Sequence, residues 1–335
     1  MSNSLKPERK IKIQPALKLI KTRDLNRDQW LNVRKNGIGS SDAAAAVGLN
    51  PYKSQLELWL EKTGRDGNLP KTDPNDESSP MYWGILLEPF VAAQYTKRTG
   101  NKVRRINSVL QHPIEPWMLA NIDREVTGAP EVQILECKTT GINGVKLWKE
   151  GVPEYVQLQV MHQLAVTGKQ AADVAVLICG QELQVHRIER DETMIEQLIE
   201  LERQFWRFVE LDQAPPADGS DSAESALRCL YPHDNGKTLD LSRDPEMSQT
   251  FSDLLAVRQV LVSQNQLESQ LKQKIQQRLA DATKALFETG EVTWKRSKDK
   301  TELDTDRLLK DQPDLLQRYG FTKPGSRRFL IHEST

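Results

Sequence analysis

Cysteine is scarce in this chain. There are three among 335 residues, Cys137, Cys179 and Cys229, far apart and odd in number. None sits in a CxxC pair, which argues against a zinc knuckle or an iron–sulfur cluster built on that spacing. Unpaired thiols of this kind fit a reducing compartment, so the expected location is cytoplasmic. No stretch of 18 apolar residues is present, so no membrane-spanning helix and no membrane partner are expected. The N-terminal segment MSNSLKPERKIKIQPALKLIK lacks the apolar core of a secretory signal. Neither sign of charge dominates: 46 basic and 47 acidic side chains give a formal net charge of -1. A nucleic-acid partner is neither supported nor excluded by this balance, because such a protein needs basic residues on one face rather than overall. Hydrophobic residues make up 38% of the chain, enough for a real core, and the length suits one large or two ordinary domains.

Composition divides the chain. Residues 1–22 are polar and basic and read as a flexible N-terminal arm. Residues 23–213 alternate helix and strand signals densely. A helix containing Trp30 and Arg34 leads into NGIGSSDAAAAVG, a loop followed by a helix start. Residues 66–80 form a polar, proline-containing loop, and WGILLEPFVAAQYTKRTG has helical spacing ending at Gly100, a good C-cap. WMLANIDREV and VQILECKTT read as two strands joined by a Gly-Ala-Pro turn. PEYVQLQVMHQLAVTG is helical, ADVAVLICG and LQVHRIERD form a hairpin, and ERDETMIEQLIELERQFWRFVEL is a long amphipathic helix. Residues 214–245 are a linker. Residues 246–335 form a helical and small α+β extension: a helix or helical hairpin over 246–289, then strands at EVTWKRS and RRFLIHE around a helix near LDTDRLLKD.

The sharpest chemical signal is Asp123 followed by Glu136-Cys137-Lys138. Side chains alternate along a strand, so Glu136 and Lys138 share a face, and a turn can bring Asp123 beside them. Two carboxylates and an ammonium suit phosphodiester hydrolysis with a divalent cation. Carboxylate oxygens hold Mg²⁺, the ion activates water and stabilises charge on the phosphate, and the lysine orients that water or neutralises developing charge. The same pattern also occurs as solvated charges at strand ends. Apolar neighbours in ILECK point to partial burial, and a buried carboxylate needs a partner.

Around this pattern the order NGIGSSDAA, WGILLEP, NID, ECKT, YVQLQ, QLAVTG and IERDE resembles the YqaJ-like viral recombinase family, relatives of phage lambda exonuclease, over about residues 27–210. The resemblance implies an α/β, restriction-endonuclease-like core with a mixed central sheet flanked by helices. It implies an Mg²⁺-dependent 5′-to-3′ exonuclease on double-stranded DNA ends, in the cytoplasm of a bacterial host cell, with two ions and Mn²⁺ as a substitute metal. The catalytic residues would be Asp123, Glu136, Lys138, Glu88 and Gln157. The metal would be held by Asp123, Glu136, the Cys137 carbonyl and Glu88. Arg34 and Ser41, with Ser40, would hold the 5′-phosphate, and Tyr155 and Gln159 would lie along the DNA. A helix start preceded by Gly39-Ser40-Ser41 offers free N–H groups to an anion. The competing reading is that Ser41 or Asp42 caps the alanine-rich helix, and Asp42 places a negative charge nearby. Further implications are a homo-oligomer, a trimeric ring in relatives, and a single-strand annealing protein as partner for the 3′ tail.

Rival readings are a structure-specific or single-strand endonuclease of the same fold, and a non-enzymatic DNA-binding protein with a degenerate site. His162, Trp59 and Trp83 read as packing residues; Trp30 reads as core, with base stacking as the alternative. The resemblance stops before the basic residues Lys295, Arg296, Lys298, Lys300, Lys323, Arg327 and Arg328, which read either as an extra binding module or as a solvated surface.

Overall fold

The computed structural model describes residues 15–71, 73–322 and 325–332, and the chain divides into two units between Pro232 and His233. The first unit opens with β1 (Leu17–Lys21), α1 (Arg27–Lys35), β2 (Ile38–Gly39), α2 (Ala43–Ala46), α3 (Gln55–Lys62) and α4 (Pro80–Thr99). Five strands follow: β3 (Lys102–Arg104), β4 (Ser108–Gln111), β5 (Met118–Ala120), β6 (Arg124–Thr127) and β7 (Ile134–Thr140). Then come α5 (Glu154–Thr167), β8 (Ala171–Ile178), β9 (Glu182–Glu189), α6 (Glu192–Glu210) and α7 (Asp221–Leu230). The second unit contains α8 (Pro245–Leu279), the hairpin β10 (Lys284–Phe287) and β11 (Gly290–Thr293), α9 (Thr305–Asp311) and α10 (Asp314–Tyr319).

The main sheet has the order β3-β6-β7-β8-β9, with β7 and β8 parallel and the other pairs antiparallel. A parallel pair needs a crossover, and α5 supplies it. Every residue of β8 is buried, which is why AADVAVLI reads as an almost unbroken apolar run. Helix α4 covers one face, with Val91, Ala92 and Tyr95 against Leu135, Ala175 and Leu177. Helix α5 covers the other, with Val156, Val160 and Leu164 in the cluster that contains Ile134, Val174 and Val176. The expected α/β architecture, a mixed sheet flanked by helices, is the one observed.

A second sheet has the order β1-β4-β5-β2. WMLANIDREV, expected as one strand, is two strands in two sheets: β5 pairs with β4 and β2, whereas β6 pairs with β3 and β7. The apolar run of Trp117–Ala120 passes into Ile122 and Val126 with no glycine or proline between, so the pattern alone does not reveal the change of partners. Asp123 lies at this break, immediately before β6.

Three boundaries differ from expectation. The arm ends earlier than residue 22, because Leu17–Lys21 pairs antiparallel with β4; residues 1–14 lie outside the described residues. The linker contains α7, whose buried Ala223, Ala226 and Cys229 belong to the first unit. RRFLIHE is not a strand among the described residues; Lys284–Phe287, within the expected helical region, takes its place beside β11 because α8 is a single helix that stops at Leu279. No helix among the described residues is long and apolar enough to cross a membrane.

Trp59 is a buried anchor whose indole donates to the Phe208 carbonyl at 3.0 Å. Trp83 is about half exposed and donates to the Glu77 carbonyl at 2.8 Å, fastening the loop before α4. His162 packs as expected and is also hydrogen-bonded through both ring nitrogens. Its Nδ1 meets the fully buried Glu202 at 2.8 Å and its Nε2 donates to the Leu119 carbonyl at 2.9 Å. Burial lowers the pKa of the imidazole, but Glu202 outweighs burial and raises it above its ordinary value. In the second unit Arg296 and Lys300 pair with Asp299 and Glu302, so part of the basic cluster is neutralised locally; Lys323 lies outside the described residues.

Candidate active site

Strand β7 starts inside the core and emerges from it. Ile134, Leu135 and Glu136 are buried, and Cys137 to Thr140 are partly exposed. Glu136 and Lys138 face α5, while Cys137 packs with the α4 cluster on the opposite side, as strand alternation requires. Asp123 Oδ2 accepts the Cys137 N–H at 2.8 Å, which ties the break between the two sheets to the middle of β7.

Glu136 is 3% exposed, and both its oxygens are held. Oε1 accepts from Lys138 Nζ at 2.8 Å and from Gln159 Nε2 at 2.6 Å; Oε2 accepts from Gln163 Nε2 at 2.8 Å. Lys138 also donates to Gln159 Oε1 at 2.8 Å, so the Gln159 amide bridges the acid and the base. Burial opposes the charge on Lys138, yet Glu136 more than compensates and raises its pKa. Asp123 behaves oppositely. Burial, then the adjacent Glu136 carboxylate, push it up to about 8 against the Cys137 N–H bond.

Glu88, on α4, lines a cavity of about 250 Å³ together with Asp123, Arg124, Arg105 and Asn107. Its carboxylate is taken by Arg124, which also donates to the Asp123 carbonyl at 2.6 Å, and Arg105 stands 3.8 Å away. The structure thus brings Glu88 to the same cavity as Asp123 but turns it toward an arginine. Among the described residues no three His, Cys, Asp or Glu side chains form a ready metal cluster. The donor chemistry nevertheless fits a divalent cation. Asp123 and Glu136 are neighbouring carboxylates whose mutual repulsion a proton or a cation must relieve. The Cys137 thiol is raised by burial and by the surrounding carboxylates, so the residue could contribute its carbonyl rather than its sulfur.

Gln157 does not join this arrangement. It is exposed and donates to the Val152 carbonyl at 2.6 Å. Gln159 and Gln163 take the place expected for it, because residues two apart on a helix point about 200° apart, whereas residues four apart share a face. Tyr155 lies one turn before Gln159 and meets Tyr52 edge-on, with ring centroids 5.8 Å apart. Sequence reasoning misses Gln163 and Arg124. The four-residue spacing of Gln159 and Gln163 is a usable signal for the first; nothing local marks the second.

A second cluster surrounds the turn Ser40–Asp42. Arg34 Nη2 donates to Ser41 Oγ at 2.8 Å and to Asp42 Oδ2 at 3.0 Å, and its guanidinium lies 4.9 Å over the Trp30 ring. Lys62, buried, donates to Asp42 Oδ2 at 2.8 Å and to the Arg34 carbonyl at 2.9 Å. Burial alone would raise Asp42, but Arg34, Lys62 and Lys53 hold it well below the usual carboxylate range. Asp42 also accepts the Gly39 N–H at 3.2 Å, so it braces the turn and pairs two cations at once. Ser40 Oγ is buried without a hydrogen-bond partner among the described residues.

The family described as the YqaJ-like viral recombinase domain matches residues 29–170, a span that includes both clusters. The protein YqaJ of Bacillus subtilis (strain 168) is 37% identical over 321 residues, 94% of this chain and 97% of that protein. The chain belongs to the YqaJ family. Its identity with the Bacillus relative runs beyond the family domain into the second unit, so that relative shares the extension. Solved structures are more distant. The alkaline exonuclease LHK-Exo from Laribacter hongkongensis is 22% identical with a TM-score of 0.45, covering 55% of this YqaJ-family chain and 93% of that one. A phage-related exonuclease from Haemophilus somnus 129PT is 9% identical with a TM-score of 0.39, covering 54% and 97%.

Proposed function

We propose that this YqaJ-family chain is a magnesium-dependent 5′-to-3′ exonuclease acting on double-stranded DNA ends and leaving 3′ single-stranded tails for annealing recombination. The observation that carries this reading is the neighbouring Asp123 and Glu136 carboxylates, with Lys138 held beside them by Gln159. Asp123, Glu136 and the Cys137 carbonyl would hold the cation, with Glu88 drawn to a second one; Mg²⁺, or Mn²⁺ in its place, supplies water activation and charge stabilisation at the phosphate. Lys138 is kept charged by Glu136 and held beside it by Gln159, where it would neutralise charge developing on the phosphate or orient the attacking water. Arg105 adds a cation at the mouth of the same cavity. Arg34 and Ser41 would hold the 5′-phosphate, with Lys62 supplying the second positive charge that Asp42 leaves uncompensated. The family's description as a viral recombinase domain supports the recombination role, for which a single-strand annealing protein is the proposed partner. A homo-oligomer working in a bacterial cytoplasm completes the proposal.

Timed digestion of linear duplex DNA in Mg²⁺, with and without a 5′-phosphate and beside a closed circle, tests it. Loss of the phosphorylated strand from its 5′ end, with the circle intact, is the expected result. A cut circle would instead assign an endonuclease, and no cutting of either substrate would remove the enzymatic reading.

The two glutamines make a sharper comparison. Gln159→Ala is expected to lower cleavage by about 10–100-fold, the usual cost of losing a partner that orients active-site ligands. Gln157→Ala should stay within about twofold, as a surface change does. Initial rates on the same linear duplex decide it, and equal losses would refute the placement of Gln159.

A further inference from the structure

Gln163 is wholly buried, yet only half of its amide is used. Its Nε2 donates to Glu136 Oε2 at 2.8 Å, while its Oε1 has no hydrogen-bond partner among the described residues. Rotating the amide by half a turn would not help, because the carbonyl would then face a carboxylate and the donation would be lost. The orientation is therefore dictated by Glu136, and the chain tolerates a bare buried carbonyl to keep it. Gln159, one helical turn earlier, grips the other oxygen, Oε1. Held at both oxygens from one rigid helix, the Glu136 carboxylate cannot rotate about its last bond without breaking both contacts.

We infer that Gln163 is a positioning residue that sets how tightly the Asp123–Glu136 pair holds its divalent cation, a statement that rests on the metal-site reading above. A carboxylate already fixed in one orientation gives up no freedom when the cation arrives. A carboxylate released on one side must be ordered first, and one of its oxygens, stripped of its donor, is free to swing away from Asp123. Loss of such an outer partner typically weakens metal affinity about 10–100-fold. Gln163 touches neither substrate nor cation in this scheme; it acts through Glu136 alone.

Calorimetric titration of the full-length protein with Mn²⁺, without DNA, provides the test, with melting temperature measured in parallel. Gln163→Met keeps the shape and removes the donor; Gln163→Asn keeps the amide but shortens it by a methylene, and guards against a folding failure of the first. Val160→Ala is the control, buried on the same helix without a bond to Glu136. The expected result is a dissociation constant raised about 10–100-fold in both Gln163 variants and unchanged in Val160→Ala, even where its melting temperature falls as far. Wild-type affinity in the Gln163 variants would overturn the inference while leaving the metal site standing. Equal weakening in Val160→Ala would reduce the effect to general loosening of α5 and overturn it as well. A wild-type protein that binds no Mn²⁺ would remove this inference and the metal-site reading together.

Discussion

Asp123→Asn is expected to abolish cleavage, by about 10³-fold or more, while making the metal-free protein more stable at alkaline pH. The first effect follows from losing one of the two carboxylates proposed to carry the cation, which contributes several kcal/mol of charge stabilisation at the phosphate. The second follows from the electrostatics of the pair without a cation. Asp123 sits beside Glu136 in a largely buried site, and its pKa is raised from the ordinary carboxylate value to about 8. The folded state therefore holds a proton that the unfolded chain releases. The stability linked to that proton is fully present at acidic pH and is lost as pH climbs from the ordinary carboxylate range through about 8. An asparagine keeps an oxygen for the Cys137 N–H and has no charge to repel. Melting curves in chelator from pH 5 to pH 9 should show the wild type falling relative to the variant, with the gap opening toward the alkaline end. Parallel curves would show that the two carboxylates are not coupled. A divalent cation added at alkaline pH should close the gap, since it replaces the proton.

Asp42→Ala carries the largest expected effect on stability, a loss of about 3–5 kcal/mol. Asp42 is 4% exposed and is the shared counter-charge of Arg34 and Lys62, besides accepting the Gly39 N–H. Removing it leaves a buried ammonium and a guanidinium facing one another, with a backbone N–H unsatisfied. The wild-type contribution persists far into the acid range, because the pKa of Asp42 is depressed: stability is present above the ordinary carboxylate value and is lost only as pH falls toward the lower folded value. Urea denaturation at neutral pH measures the difference, and a shift under about 1 kcal/mol would show that Arg34 and Lys62 find other partners. Arg34→Ala should cost much less, since Asp42 keeps Lys62.

Both predictions turn on residues that the amino-acid sequence makes conspicuous, but their partners are less legible there. The apolar runs of β7 and β8, the Gly100 cap and the charged ECK triplet carry local information strong enough to place the sheet, one helix end and the acid–base pair. Gln157 and Gln159 show the limit. Both are polar and adjacent to one strand, and only the rotational phase of α5, fixed by where Val156, Val160 and Leu164 must bury, decides which of them reaches Glu136. The Arg124–Glu88 contact joins residues on different elements and leaves no local trace. Strand β1 reads as an arm because LKLIK at a sheet edge is mostly exposed, with little apolar signal to separate it from a polar tail. Helix α7 hides in a linker of serines and acids that also suit helix caps.

The division of WMLANIDREV between two sheets has a metric consequence. Gly39, at the head of the Ser40–Asp42 turn, is paired in register with Leu119 on β5, and the same backbone reaches Asp123 through only the short irregular connection that starts at Asn121. From Leu119 to Asp123 the chain can span at most about 14 Å. The two clusters are thus set apart by a stretch of backbone that works as a ruler, with one end pinned by the β2–β5 pairing and the other by the Cys137 N–H. A phosphate held at Arg34 and Ser41, as proposed, would be presented to the carboxylates at that interval, and adding or deleting one residue between 119 and 123 would change it.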